Sequence, residues 1–193
     1  MSDGAATRPE PRLAGDLFIW YIILLEGATF SVLFVTFAFL RLQNLELFTE
    51  SQRRLDVSAG AINTGLLLTA SWCVARAVHA VRASRRGAAL VWLAVGMAGG
   101  AGFVALKLSE YADKAAQGIG LSVNLFFDLY FLLTGFHLMH VLAGLLALGL
   151  TAIGLARQRQ PTLNAHTIET TASFWHLVDL LWLILFPLVY VIG

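Results

Sequence analysis

The sequence predicts an all-α polytopic membrane protein, a bundle of five transmembrane helices. Three observations carry this expectation. Of the 193 residues, 58% are apolar and only 13% are charged, against roughly a quarter charged in a typical soluble domain, and mean hydropathy is +0.75. Five stretches run for about 18 residues or more almost free of Asp, Glu, Lys and Arg, which is enough helix to cross ~30 Å of hydrocarbon. None of the five alternates polar and apolar residues as barrel strands do, and helix satisfies its own backbone groups in lipid.

Residues 1–16 are polar and punctuated by Pro9 and Pro11; they read as an N-terminal cytoplasmic segment ahead of a membrane domain at 17–193. The first span is 17–40 (LFIWYIILLEGATFSVLFVTFAFL), interrupted only by Glu26. It is too long for a cleavable signal peptide and carries an acid inside. The second is 57–81, passing Arg76; Asn63 and Thr64 sit early in it and read as polar helix-contact residues. The third is 88–107, reaching Lys107, with Gly96, Gly99, Gly100 and Gly102 placed to let a neighbouring helix approach closely. Glu110 and Tyr111, in LKLSEY, close it. The fourth, 129–156, holds His137 and His140, three apart and so on a shared face. The fifth, 170–192, follows Glu169 and is broken only by Asp179, three residues after His176; Trp175, Trp182 and Tyr190 decorate it for packing or for the interface belt.

Lys and Arg in the short connections number seven on one side (Arg8, Arg12, Arg82, Arg85, Arg86, Arg157, Arg159) and four on the other (Arg41, Arg53, Arg54, Lys114). This bias places the amino terminus in the cytoplasm and the carboxyl terminus outside.

Composition also excludes. With 13 Lys+Arg against 12 Asp+Glu there is no charge surplus to grip a nucleic acid. One cysteine, Cys73, leaves no internal disulfide, iron–sulfur site or two-cysteine copper site. No phosphate-binding loop or nucleophile elbow is present, so no catalytic residue is assigned.

The polar residues inside spans need a reason, since each ionisable group there costs about 2.5–3.5 kcal/mol on insertion scales. Glu26 is either a packing carboxyl bonded to the next helix or a proton-exchanging group. Arg76 and Lys107 lie near span ends, so its expected partners are hydroxyls and the imidazoles of His137, His140 and His176. Those three histidines with Asp179 offer metal-ligand chemistry in principle. Metal-binding helices show tighter motifs such as H-E-x-x-H, so a hydrogen-bonded polar seam is expected instead, with no metal and no haem.

Taken together, the blocks IILLEGATFSVLFVTFAFLR, INTGLLLTAS, KLSEY, TGFHLMHVLAG and HTIETTASFWHLVDLLWLILFPLVY resemble the subunit III family of haem–copper terminal oxidases, from about Asp16 to Gly193. The fourth and fifth blocks carry most of the specificity. The chain looks like the family's five-helix form, and its RLQNLELFTESQRRLD connection and short fourth-to-fifth connection look similar to NorE-type proteins, relatives associated with nitric oxide reductase in denitrifying bacteria. The resemblance implies a non-catalytic subunit in a bacterial inner membrane, packed against a haem-bearing catalytic subunit and supporting assembly, sustained turnover or proton uptake. It implies a functional Glu26, bound phospholipid between helices, and no redox centre. Asn63, Glu110, His137, His140, Glu169, Trp175, His176 and Asp179 are then helix-contact or lipid-associated positions. Subunit III of a cytochrome c or quinol oxidase is the alternative within the family. Outside it stand a small proton-linked transporter, for which five helices divide poorly into repeats, and a membrane b-type cytochrome.

Overall fold

The computed structural model describes residues 17–157 and 161–192. The polar segment 1–16 and Arg159 lie outside the described residues. Within them all regular structure is helical: α1 (Leu17–Gln43), α2 (Leu45–Gln52), α3 (Val57–Arg82), α4 (Arg86–Ala116), α5 (Leu125–Arg157) and α6 (Pro161–Phe186), closed by a π-helical turn over Pro187–Val191. Five helices are long and apolar enough to span a membrane: α1, α3, α4, α5 and α6 continued through the π turn. The chain is a multi-pass membrane protein.

Two features differ from a reading by hydropathy. The 41–56 connection, expected to be a short loop, contains α2. Phe48 explains it: this ring is 1% exposed and packs edge-on against Phe37 of α1 and Phe126 of α5, at centroid distances of 5.3 and 5.5 Å. Asp56 then caps α3, accepting from Ser58 N (2.8 Å) and Ala59 N (3.1 Å). The third span does not end near Lys107 but runs on to Ala116. Lys107, Glu110 and Lys114 are all buried: Lys107 pairs with Glu110, and Lys114 donates to Arg54 O, so each has a partner within the protein. Gly118, at φ 72°, stops the helix in the left-handed conformation that glycine adopts without strain.

Side-chain ties define the two ends of the bundle. At one end Gln52 Nε2 donates to Val189 O (3.0 Å), Asn124 Nδ2 to Ser51 Oγ (3.0 Å), and Lys114 to Arg54 O. At the other, Arg82 Nε meets Glu169 Oε1 at 2.8 Å and Arg86 donates to Ala156 O. They are called here the α2 end and the arginine end.

Close approach is paid for in glycines. A Cβ on Gly96 or Gly99 would stand 3.2 Å from a backbone carbonyl of α3, that of Ala70 or Leu66. A Cβ on Gly100 or Gly144 would stand 2.7 or 2.9 Å from ring carbons of Trp175. The Trp175 indole, 0% exposed, therefore occupies the space that Gly100 of α4 and Gly144 of α5 leave empty, while α6 itself packs chiefly against α5 and α3. By contrast α1 buries only Ile19, Phe30 and Phe37. Leu24, Val32, Val35 and Phe39 face outward, as they should where the solvent is hydrocarbon.

The π turn follows from Pro187. Proline has no N–H for the ladder, and Ile192 N instead reaches Pro187 O at 2.9 Å, a five-residue step. This widened turn carries Tyr190 into the bundle.

Candidate functional site

The strongest concentration of buried polarity is at the α2 end and centres on Lys107. Its Nζ lies 3.0 Å from Glu110 Oε2 and 3.1 Å from Tyr130 Oη, and it also donates to Tyr190 Oη. Both phenols in turn donate to Glu110 Oε1, at 2.7 Å from Tyr130 and 2.8 Å from Tyr190. The count closes. An ammonium has three donors and all three are used; each phenol accepts once and donates once; the carboxylate takes the remainder. The rings of Tyr111 and Trp182 lie 5.3 and 5.6 Å from Nζ and add cation–π attraction. The second ring of partners extends to Tyr111 Oη, 2.7 Å from Thr134 Oγ1. A closed, fully satisfied network of this kind fixes geometry and ties α4, α5 and the π turn together.

Glu110 was expected as a helix-contact residue, and it lies at the heart of this cluster. Lys107 was expected at a span end and is instead fully buried. The available signal was the Lys107–Glu110 spacing of three on one helix. Nothing local in the sequence identifies Tyr130 and Tyr190 as the other members.

A second polar contact joins α1 to α5. Glu26 Oε2 lies 3.1 Å from His140 Nε2, so the imidazole beside Glu26 is that of His140. The approach is not an aligned hydrogen bond. His140 Nδ1 is 2.8 Å from Phe136 O, and a carbonyl only accepts, so Nδ1 carries a hydrogen. A neutral ring then presents Nε2 as an acceptor toward a Glu26 O–H, and a charged ring presents it as a donor toward a carboxylate. Phe30 stands edge-on to His140 at 5.4 Å and covers the pair.

His137 behaves differently from its neighbour three residues on. It is 0% exposed, and neither ring nitrogen has a hydrogen-bond partner among the described residues. Phe30, Phe103 and Trp182 surround it at centroid distances of 6.5, 5.7 and 5.1 Å. The expected hydrogen-bonded seam therefore does not include His137, because the rotation between positions 137 and 140 turns one ring into the aromatic core and the other toward α1. Asn63 is likewise fully buried with no partner for either amide atom among the described residues. Its neighbour Thr64 accepts from Trp182 Nε1 at 2.9 Å.

The remaining predicted positions lie along α6. Glu169 pairs with Arg82 at the arginine end. Trp175 fills the Gly100 and Gly144 hollows. His176 Nδ1 is 2.6 Å from Ser71 Oγ on α3. Asp179 is 5% exposed, and neither carboxyl oxygen is hydrogen-bonded among the described residues. The three histidines and Asp179 thus belong to three separate surroundings. Among the described residues no three of His, Cys, Asp and Glu come together where they could hold a metal ion.

Residues 53–193 match the family described as cytochrome c oxidase subunit III. Individual relatives cover nearly the whole chain. The chain is 29% identical to quinol oxidase subunit 3 of Bacillus subtilis over 183 residues, 92% of this chain and 86% of the relative. It is 30% identical to cytochrome c oxidase subunit 3 of Synechocystis sp. over 188 residues, 95% and 77% of the two chains. It is 26% identical to cytochrome bo(3) ubiquinol oxidase subunit 3 of Pseudomonas aeruginosa over 174 residues, 90% and 83%.

Proposed function

The chain belongs to the cytochrome c oxidase subunit III family, and from that premise we propose that it is a non-catalytic integral subunit of a respiratory oxidase. It packs against the haem-bearing catalytic subunit of the same complex in a bacterial inner membrane. It supports assembly, sustained turnover or proton uptake and carries no redox centre of its own. The observation that carries this reading is the likeness along almost the full chain to subunits of quinol and cytochrome c oxidases.

Between the two readings within the family, the relatives' names favour an oxidase proper. The NorE-type reading, with nitric oxide reductase as the partner, rests on the short connections alone, and α2 occupies the longer of these. Phospholipid between helices, a cytoplasmic amino terminus and Glu26 as a proton-exchanging group complete the proposal. Purification of the tagged chain from mild detergent tests it. A haem–copper oxidase is expected to accompany it. Recovery with nitric oxide reductase would reverse the choice within the family, and recovery of the chain alone, loaded with haem, would end the accessory reading.

A further inference from the structure

One cation inside a span has no anion. Arg76 is exposed on the outer face of the hairpin formed by α3 and α4, and among the described residues it enters no ion pair. Two tryptophans hold it instead. Its Cζ lies 6.0 Å from the ring centroid of Trp72, one turn earlier on α3, and 5.7 Å from that of Trp92 on α4. The two rings meet edge to face with centroids 5.2 Å apart. Trp72 is exposed and Trp92 half-buried, so this clamp is open on the side that faces away from the bundle.

Depth says what the clamp meets there. Arg76 comes six residues before the end of α3 and Trp92 six residues after the start of α4, which puts both about 9 Å below the turn at the arginine end. The headgroup layer is roughly 5–8 Å thick on each side of the hydrocarbon, so the guanidinium lies just beneath the phosphates. A free arginine would extend its head toward water; here the rings engage the head at its own depth. Cation–π attraction offsets part of the cost of a charge at that level without neutralising it. The hairpin has no anion to supply, because residues 57–109 contain no Asp or Glu. At the turn above, Arg82 is taken by Glu169 and Arg86 donates to Ala156 O, which leaves Arg85 exposed and in no ion pair among the described residues.

We propose that Arg76, Trp72 and Trp92 form a binding site for the phosphate of an anionic phospholipid, on the outer face of the α3–α4 hairpin and separate from any lipid held between helices. The guanidinium offers two parallel N–H donors to phosphate oxygens. The indoles pack beside the glycerol and the first acyl carbons, where tryptophan is at home in a membrane. Arg85 adds a second positive charge nearer the water and favours a headgroup with net negative charge over a zwitterionic one. A lipid fits this depth better than a partner protein does, since a protein carboxylate would have to leave water to reach Arg76, whereas phosphates already stand there. The site depends on the membrane span alone, so its failure would leave the accessory-subunit reading untouched.

Tryptophan fluorescence of the full chain in phosphatidylcholine bilayers tests this, with brominated phosphatidylglycerol or brominated phosphatidylcholine as the quencher. Trp20→Phe serves as the parent, because Trp175 and Trp182 are buried and Trp72 and Trp92 then provide the accessible indoles. Quenching should show a preference for phosphatidylglycerol of about fivefold, as one arginine near an anionic surface gives. Arg76→Gln should remove the preference, and Arg85→Gln should keep most of it. The preference should also survive about 0.5 M salt, because a contact shielded from water is screened less than exposed charge; the salt comparison on the unsubstituted chain needs no variant. Equal quenching by the two lipids, or a preference that persists in Arg76→Gln, would overturn the proposal. So would a preference lost in Arg85→Gln or at high salt, which would assign it to the diffuse charge of the turn.

Discussion

Lys107 and Glu110 form the one ion pair among the described residues with both side chains buried, 0% and 6% exposed, with Nζ 3.0 Å from Oε2. Taking two charges out of water is expensive, so such a pair contributes little net stability while it is whole. Removing one partner is another matter.

Lys107→Met should cost about 3–5 kcal/mol, because Glu110 is then left buried without its cation. The double substitution Lys107→Met with Glu110→Gln should recover most of the loss, since the amide still accepts from both phenols. Thermal unfolding in detergent measures both. A double variant no more stable than the single would show that the ring of partners, and not the isolated charge, dominates.

Gly100→Ala and Gly144→Ala should each destabilise by about 1–3 kcal/mol through overpacking against Trp175. The forced contacts are 2.7 and 2.9 Å to rigid ring carbons. Gly149→Ala, which meets nothing within 4 Å, is the control and should be neutral or slightly stabilising. Trp175→Phe in the Gly144→Ala background should relieve part of the cost, and melting temperatures of the four variants report the coupling.

Glu26→Gln should preserve folding, because the amide keeps the shape and can either donate to or accept from His140 Nε2. Glu26→Ala should cost about 1–3 kcal/mol by stripping that nitrogen of its partner. A double-mutant cycle with His140→Phe measures the coupling directly. A coupling near zero would mean that the 3.1 Å contact carries no energy.

A reporter fused after Gly193 should report the outer side of the membrane. The seven-to-four Lys/Arg bias predicts this, but within residues 17–157 and 161–192 the connections carry Arg82, Arg85, Arg86 and Arg157 against Arg41, Arg53, Arg54 and Lys114, four on each side. Arg8, Arg12 and Arg159 therefore decide the orientation, and neutralising Arg8 and Arg12 should weaken it.

Deletion of the chain from its complex should leave the haem spectrum of the catalytic subunit intact while activity falls in part or decays during turnover. Optical spectra and oxygen-consumption traces on the purified complex read the two effects. Complete loss of chemistry in a haem-loaded complex would assign this chain a share of the active site.

The number of spans and the all-helical class were legible in the sequence, because hydrocarbon thickness and backbone self-satisfaction leave few ways to arrange five long apolar stretches. The positions that needed explaining were legible too, since any ionisable residue inside a span stands out against its neighbours. What each of them touches was decided by the tertiary structure. Hydropathy gives depth only roughly and gives no rotation, and rotation separates His137 in its aromatic box from His140 beside Glu26. A span boundary drawn at the first charge placed Lys107 at the edge, whereas Glu110 and two tyrosines from distant segments allow the helix to carry that charge inside. Gly100, Gly144 and Trp175 read separately as small residues and an aromatic. Only the packing of three helices makes them one lock, because complementarity of shape exists between surfaces and not along a chain.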